Sequence, residues 1–167
     1  MVKIALVPVL ILSACLLAAA YGALHNQISY TVGPDYFHAF KFIQFNIAPA
    51  LPYRMGAAIV GVQASWWMGM IIGLPIALIC ARAPNARQMT AVFARAALLV
   101  MGLTLALGMA TLLVPPGALP GGLIDFPPGV QDQPGFLRAA LLHDVSYLAG
   151  VVGLVAGLGY AWRATRR

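Results

Sequence analysis

Residues 55–114 read MGAAIVGVQASWWMGMIIGLPIALICARAPNARQMTAVFARAALLVMGLTLALGMATLLV. Two apolar runs, about 55–81 and about 90–114, flank the turn Arg82-Ala-Pro-Asn-Ala-Arg87. Each run holds the roughly 20 apolar residues that a helix needs to cross a bilayer. Pro84 and Asn85 break the helical pattern between them. In lipid every backbone polar group must be satisfied internally, so two such runs with a tight turn read as a transmembrane helical hairpin.

The same pattern extends outward on both sides. An apolar span covers about 4–24 and another about 139–162. The expected fold is therefore all-α, a four-helix transmembrane bundle forming one integral membrane domain over residues 1–167. Composition agrees, with 62% hydrophobic and only 8% charged residues, against roughly 25% charged in a soluble domain. The first span also has the short basic head and small-residue end of a secretory leader. Its length favours a retained anchor over a cleaved leader.

Charge sets the orientation. The net charge is +6, which in a soluble chain would suggest nucleic acid. Here the basic residues sit at span ends with no interleaved aromatics, so no nucleic-acid partner is expected. With the N-terminus inside, Lys3, Arg82, Arg87, Arg95, Arg163, Arg166 and Arg167 fall on the cytoplasmic side and Lys41, Arg54 and Arg138 on the other. The positive-inside rule then places both termini in the cytoplasm of a multi-pass protein of the cell's inner membrane. All four acids, Asp35, Asp125, Asp132 and Asp144, fall on the outer side with all three histidines.

Two outer segments remain. Residues 115–138 are rich in Pro and Gly and are expected to form an irregular loop. Residues 25–54 contain, after Gly33-Pro34, a run with an aromatic face and with His38, Lys41 and Gln44 at helical spacing. A short amphipathic helix, capped by Asp35, is expected at the outer interface between the first and second spans. Gly69/Gly73 and Gly153/Gly157 have the spacing of close helix contacts. Cys15 and Cys80 read as packing residues.

The candidate site comes from an echo. The first span ends Leu24-His25-Asn26-Gln27-Ile28-Ser29-Tyr30, and the fourth begins Leu142-His143-Asp144-Val145-Ser146-Tyr147. His143 and Tyr147 share a helix face, with Ser146 beside them. An ionisable pair inside the membrane boundary needs polar partners at its own depth. Candidates are His25, Gln27, Ser29, Tyr30, Gln63 and Ser65.

The functional reading is a periplasm-facing His/Asp cluster that binds a metal ion or haem. His25 and His143 would ligate either, with Asp144 and Asp35 as further metal ligands. The competing reading is an accessory subunit of a larger membrane complex, or a self-associating one, in which the cluster only pins the helices together. A third reading is a small transporter or membrane enzyme with a His-Asp relay. The tandem Trp66-Trp67 falls near mid-span and is expected to fill the bundle or line a pocket. Met68 and Met70 raise copper as one metal among several.

The segment Tyr21-Gly22-Ala-Leu-His25-Asn26-Gln27-Ile28-Ser29, followed by Asp35-Tyr36-Phe37, resembles a family of uncharacterised small bacterial inner-membrane proteins. Its members carry Tyr-Gly-x-x-His-[Asp/Asn]-Gln-[Ile/Val]-[Thr/Ser] at the end of the first helix, then an acid-Tyr-Phe. The likeness covers this short stretch well and the four-helix layout loosely. It implies the same topology, points at His25, Gln27 and Asp35, and implies no activity.

Overall fold

A computed structural model of the chain describes residues 2–118 and 125–166. Its long helices are α1 (Val2–Val32), α3 (Tyr53–Cys80), α4 (Ala86–Ala110) and α5 (Gln133–Ala164). Between α1 and α3 lies α2 (34–44), built from an α turn Pro34–Tyr36, a π turn Phe37–Lys41 and an α turn Phe42–Gln44. Short 3-10 turns at Thr111–Leu113 and Pro116–Ala118 follow α4. The four long helices, α4 with its 3-10 extension, are long and apolar enough to cross a membrane. The described residues contain no strand.

The helices outrun their apolar spans at the histidine-bearing end. The first continues through the polar residues 25–32, and the last begins at Gln133 rather than near 139. Hydropathy falls there because polar side chains replace apolar ones. The helix persists because those side chains find partners. Asn26 Nδ2 donates to the Ala57 carbonyl at 2.9 Å, and Gln27 Nε2 donates to the Arg54 carbonyl at 3.1 Å. Arg54 returns a bond to the Gln27 carbonyl at 2.9 Å.

Packing divides the bundle into two close pairs, α1 with α3 and α4 with α5, which touch each other more sparsely. Small residues make the close contacts. Gly22 and Gly61 lie backbone to backbone, and a Cβ on either would collide with the other's carbonyl. Gly69 and Gly73 face Ala14 of α1, while Gly153 and Gly157 face Val100 of α4. Both glycine pairs singled out by spacing therefore sit at helix contacts. Such seams hold in lipid, where packing replaces the hydrophobic drive between helices.

Large apolar side chains turn outward instead, among them Leu12, Leu16, Ile71 and Val155. Trp66 and Trp67 follow them at 48% and 38% exposed, so the tandem neither fills the bundle nor lines its interior. Lipid is as apolar as an indole, so nothing drives these rings inside once glycines occupy the seam.

The basic end is tied by cations. Lys3 Nζ donates to the Ala83 carbonyl at 2.8 Å and the Ala81 carbonyl at 3.3 Å, satisfying the C-terminus of α3. The Arg82 and Arg166 guanidinium groups stand 3.8 Å and 4.9 Å from the Trp162 ring centroid, linking α3 to α5. Asn85 accepts from Gln88 N at 2.9 Å and so caps α4.

The segment α2 folds back over the other end. Phe37 is fully buried and Tyr36 nearly so, in a small aromatic cluster with Phe136. Asp35 does not cap its own helix. Its Oδ2 accepts from the backbone N–H groups of Gln131 and Asp132, both at 2.7 Å, and so moors α2 to the chain entering α5. Those two bonds hold the Asp35 carboxyl below its ordinary pKa.

Candidate functional site

His25 and His143 converge. Their ring centroids lie 5.3 Å apart at an interplanar angle of 82°, and each residue is only 6% exposed. His25 sits on the late turns of α1 and His143 on the early turns of α5, so the echo in the sequence becomes a contact between two helices. Ser146 joins them, its Oγ 3.0 Å from His25 Nε2. Ser29 Oγ lies 3.2 Å from His143 Nδ1. Tyr21 stacks on His25, with centroids 5.5 Å apart.

The hydrogen bonds assign a tautomer. His143 Nδ1 lies 3.0 Å from the Ala139 carbonyl oxygen, one turn back on its own helix. A lone pair on Nδ1 would face the lone pairs of that carbonyl, so Nδ1 carries the proton and donates it. Among the described residues no carboxylate contacts the ring, and a buried charge without a counter-ion is disfavoured. The ring is therefore neutral, and its Nε2 presents a free lone pair. Among the described residues Nε2 has no hydrogen-bond partner.

His143 lines a cavity of about 120 Å³ between the two helix pairs, to which all four long helices contribute. His25, His143, Ser146 and Tyr21 lie at one end of it, and Ile76 and Phe93 at the other. Among the described residues no Lys, Arg, Asp or Glu lines it. The Tyr21 hydroxyl, on a residue of the same wall, is buried near Ser146, and among the described residues it makes no hydrogen bond of good geometry.

The glycine at 108 on α4 lets this end close. A Cβ there would stand 2.6 Å from Ser146 Oγ and 4.0 Å from His25 Nε2. The α2 segment roofs the pair, with the Tyr36 and Phe37 ring centroids 5.0 Å and 6.0 Å from that of His143. Burial raises the Tyr36 pKa, and the Asp144 carboxylate adds to the effect, so its hydroxyl stays protonated.

Other residues picked out from the sequence lie elsewhere. Asp144 is exposed and turned from the histidines, since neighbours on a helix point about 100° apart. Its charge acts instead on Tyr36 and on Lys41, whose pKa burial lowers. Asp35 is occupied with the backbone at 131–132. Gln27 ties α1 to Arg54, and Gln63 is exposed. Tyr30 bonds His38 Nε2 at 2.8 Å on the outside of the roof. Tyr147 lines the cavity while its hydroxyl donates to the Ala64 carbonyl at 3.1 Å. Met68 lines the cavity, whereas Met70 is exposed. Ser65 is spent on its own helix, bonding the Gly61 carbonyl.

Five contributors were not singled out for the site from sequence. Tyr21 reads as one more aromatic of the first span. Gly108 and Ala139 offer no side-chain signal at all. Tyr36 and Phe37 depend on where α2 lands. The described residues hold no group of three or more His, Cys, Asp or Glu side chains placed to bind a metal ion. Comparison with known proteins finds no matching family model, no matching curated protein and no matching solved structure, so any functional reading of the chain rests on the chemistry of this site.

Proposed function

We propose that this chain is a ligand-binding module of the cell's inner membrane, with both termini cytoplasmic and with the His25–His143 pair as its receptor for the ligand's polar group. The observation that carries the reading is the convergence of two buried histidines, His25 and His143, at the polar end of an apolar cavity. Two buried imidazoles on neighbouring helices offer a ligand nitrogens that can hydrogen-bond or bind a metal ion. Intramembrane ionisable residues mark functional sites by default.

A metal ion is the second reading, favoured by the spacing of the rings. Imidazoles 5.3 Å apart can share one ion at roughly 2.0–2.1 Å from each nitrogen. His25 would then release Ser146, and the remaining ligands would be hydroxyls or exogenous. Haem has less support: a cavity of about 120 Å³ beside two rings in edge contact has no room for a macrocycle between them. A His-Asp relay has none, because Asp144 faces away from the pair.

The test is native mass spectrometry with elemental analysis of protein extracted from membranes in mild detergent. We expect a bound mass or a bound metal on the wild type and its loss from His143→Ala. Wild type that is bare and indistinguishable from His143→Ala overturns the reading. Retention of such bare protein in a larger assembly would favour the accessory-subunit role.

A further inference from the structure

We propose that the end of the bundle opposite the histidines holds one anionic phospholipid, its phosphate bridging Arg82 and Arg166 beside the Trp162 indole. This site stands apart from the histidine pair and does not depend on what that pair binds. Arg82 follows α3 and Arg166 follows α5, yet both guanidinium groups come over one ring, at 3.8 Å and 4.9 Å from its centroid. Their central carbons can lie no farther apart than those two distances laid end to end. A phosphate group has oxygens enough to accept from both at that spacing.

The N–H groups are free to donate. A guanidinium carries five of them in one plane, so stacking on an aromatic face occupies its flat side and leaves its edges. Among the described residues neither guanidinium donates a hydrogen bond or meets a carboxylate; their contacts are with the indole. Nor are they spent on helix ends. Lys3 serves the Ala81 and Ala83 carbonyls after α3, and Thr165 Oγ1 donates to the Ala161 carbonyl of α5 at 2.8 Å. Trp162 is 39% exposed and closes the apolar run of α5, the depth at which indoles meet lipid headgroups.

Charge decides which lipid. The chain has four acidic side chains, and none is near. Asp144 precedes Trp162 on α5 by eighteen residues, roughly 27 Å of helix. Asp132 caps the far end of α5, Asp35 bonds the backbone at 131–132, and Asp125 adjoins Phe126, which packs on Phe136. A zwitterionic lipid would bring an ammonium group among these cations with no carboxylate to receive it. An anionic lipid brings only the charge this end lacks. Its phosphate also joins α3 to α5, which belong to the two helix pairs that touch each other sparsely.

The test mixes protein in mild detergent with dioleoyl phosphatidylglycerol, with dioleoyl phosphatidylethanolamine, or with millimolar inorganic phosphate. Native mass spectrometry and thermal melting are the readouts. We expect one phosphatidylglycerol per chain, held on the order of tenfold more tightly than phosphatidylethanolamine, since each basic residue at a lipid surface is worth about a factor of five. It should raise the melting temperature as well. Arg82→Gln and Arg166→Gln should each lose most of the preference. Arg95→Gln removes the same charge from α4 but not from this ring, and should keep it.

Equal affinity of the wild type for the two lipids overturns the inference, and that comparison needs no variant to fold. A loss in Arg95→Gln as large as in Arg82→Gln overturns it too, because the attraction would then be diffuse charge. Equal stabilisation by inorganic phosphate alone would assign the two arginines to a soluble anion and remove the lipid.

Discussion

A buried hydroxyl without a partner makes Tyr21 a residue whose removal separates stability from binding. In Tyr21→Phe the ring still stacks on His25, and the unpaired O–H is gone. Replacing an unsatisfied buried polar group by an apolar one of similar shape is neutral or stabilising. The ligand-free melting temperature in detergent should therefore hold or rise, while affinity for a polar ligand held at the His25–His143 pair falls. A lower melting temperature would mean that the hydroxyl already has a partner in the free protein. Gly108 makes the opposite case. Alanine there brings a methyl group 2.6 Å from Ser146 Oγ, and overpacking of this kind typically removes about 1–3 kcal/mol. Ser146→Ala should rescue it, because the next nearest atom of that residue is its Cβ at 3.9 Å. The double variant should thus be more stable than the sum of the single ones predicts, which a double-mutant cycle measures. Gly102→Ala is the control, since nothing lies within 4 Å of its added carbon. The pairing of His25 with His143 was legible in the sequence because both stand in the same local pattern at span ends of equal depth. Asp144 misled because adjacency in sequence is divergence on a helix. Gly108 was invisible, since a glycine announces nothing about the side chains that lean on it.

Among the elements, α2 has the least covalent reason to be where it is and the clearest handle for moving it. Its position over the histidines depends on aromatic packing and on Asp35, which accepts two backbone N–H bonds from the chain entering α5. The carboxyl pKa is depressed in the folded protein. A group of this kind contributes stability that is present above its unfolded value, near 3.9 for Asp, and lost as pH falls through the lower folded value. Asp35→Asn should therefore be less stable than wild type at neutral pH. The side chain is largely solvated, which discounts the effect to roughly 0.5–1 kcal/mol. The gap should close only below the ordinary carboxylate range. Hydrogen exchange at the amides of Gln131 and Asp132 checks the same link, with protection lost in the variant. Unchanged protection there would show that aromatic packing alone holds the roof. The helical spacing of His38, Lys41 and Gln44 revealed that a helix would form here. Its fold over the His pair was not legible, because docking is decided by Tyr36 and Phe37 against α5, a contact with a residue more than a hundred positions away. The four long helices needed no such contact to be read, since length and apolarity mark each on its own. Their polar ends were under-read for the reason that α2 was: a hydropathy window cannot see a hydrogen bond to another helix.

At the scale of the whole molecule, the two ends of the bundle do different work. One end is closed by cations: Lys3 on the α3 carbonyls and Arg82 and Arg166 about Trp162. The other carries the roofed pair His25 and His143, with Asp35 mooring the roof. Between them, glycine seams draw the helices into two close pairs and leave a cavity where the pairs meet. The arrangement departs from the habit of a soluble domain, with glycines at the helix contacts and many large apolar side chains turned outward. The proposed orientation rests on charge alone. Basic residues number seven at one end and three at the other, as Lys3, Arg82, Arg87, Arg95, Arg163, Arg166 and Arg167 against Lys41, Arg54 and Arg138. By the positive-inside rule such a bias would hold the richer end in the cytoplasm. Single cysteines test this directly in a Cys15→Ala, Cys80→Ala background. Pro84 lies in the exposed turn between α3 and α4, and Gln131 is exposed beside the roof, its contact with Asp35 made by backbone rather than side chain. In intact cells a membrane-impermeant maleimide should label Gln131→Cys and spare Pro84→Cys until the cells are lysed. The reverse pattern would turn the protein over, placing the roofed histidine pair on the cytoplasmic side.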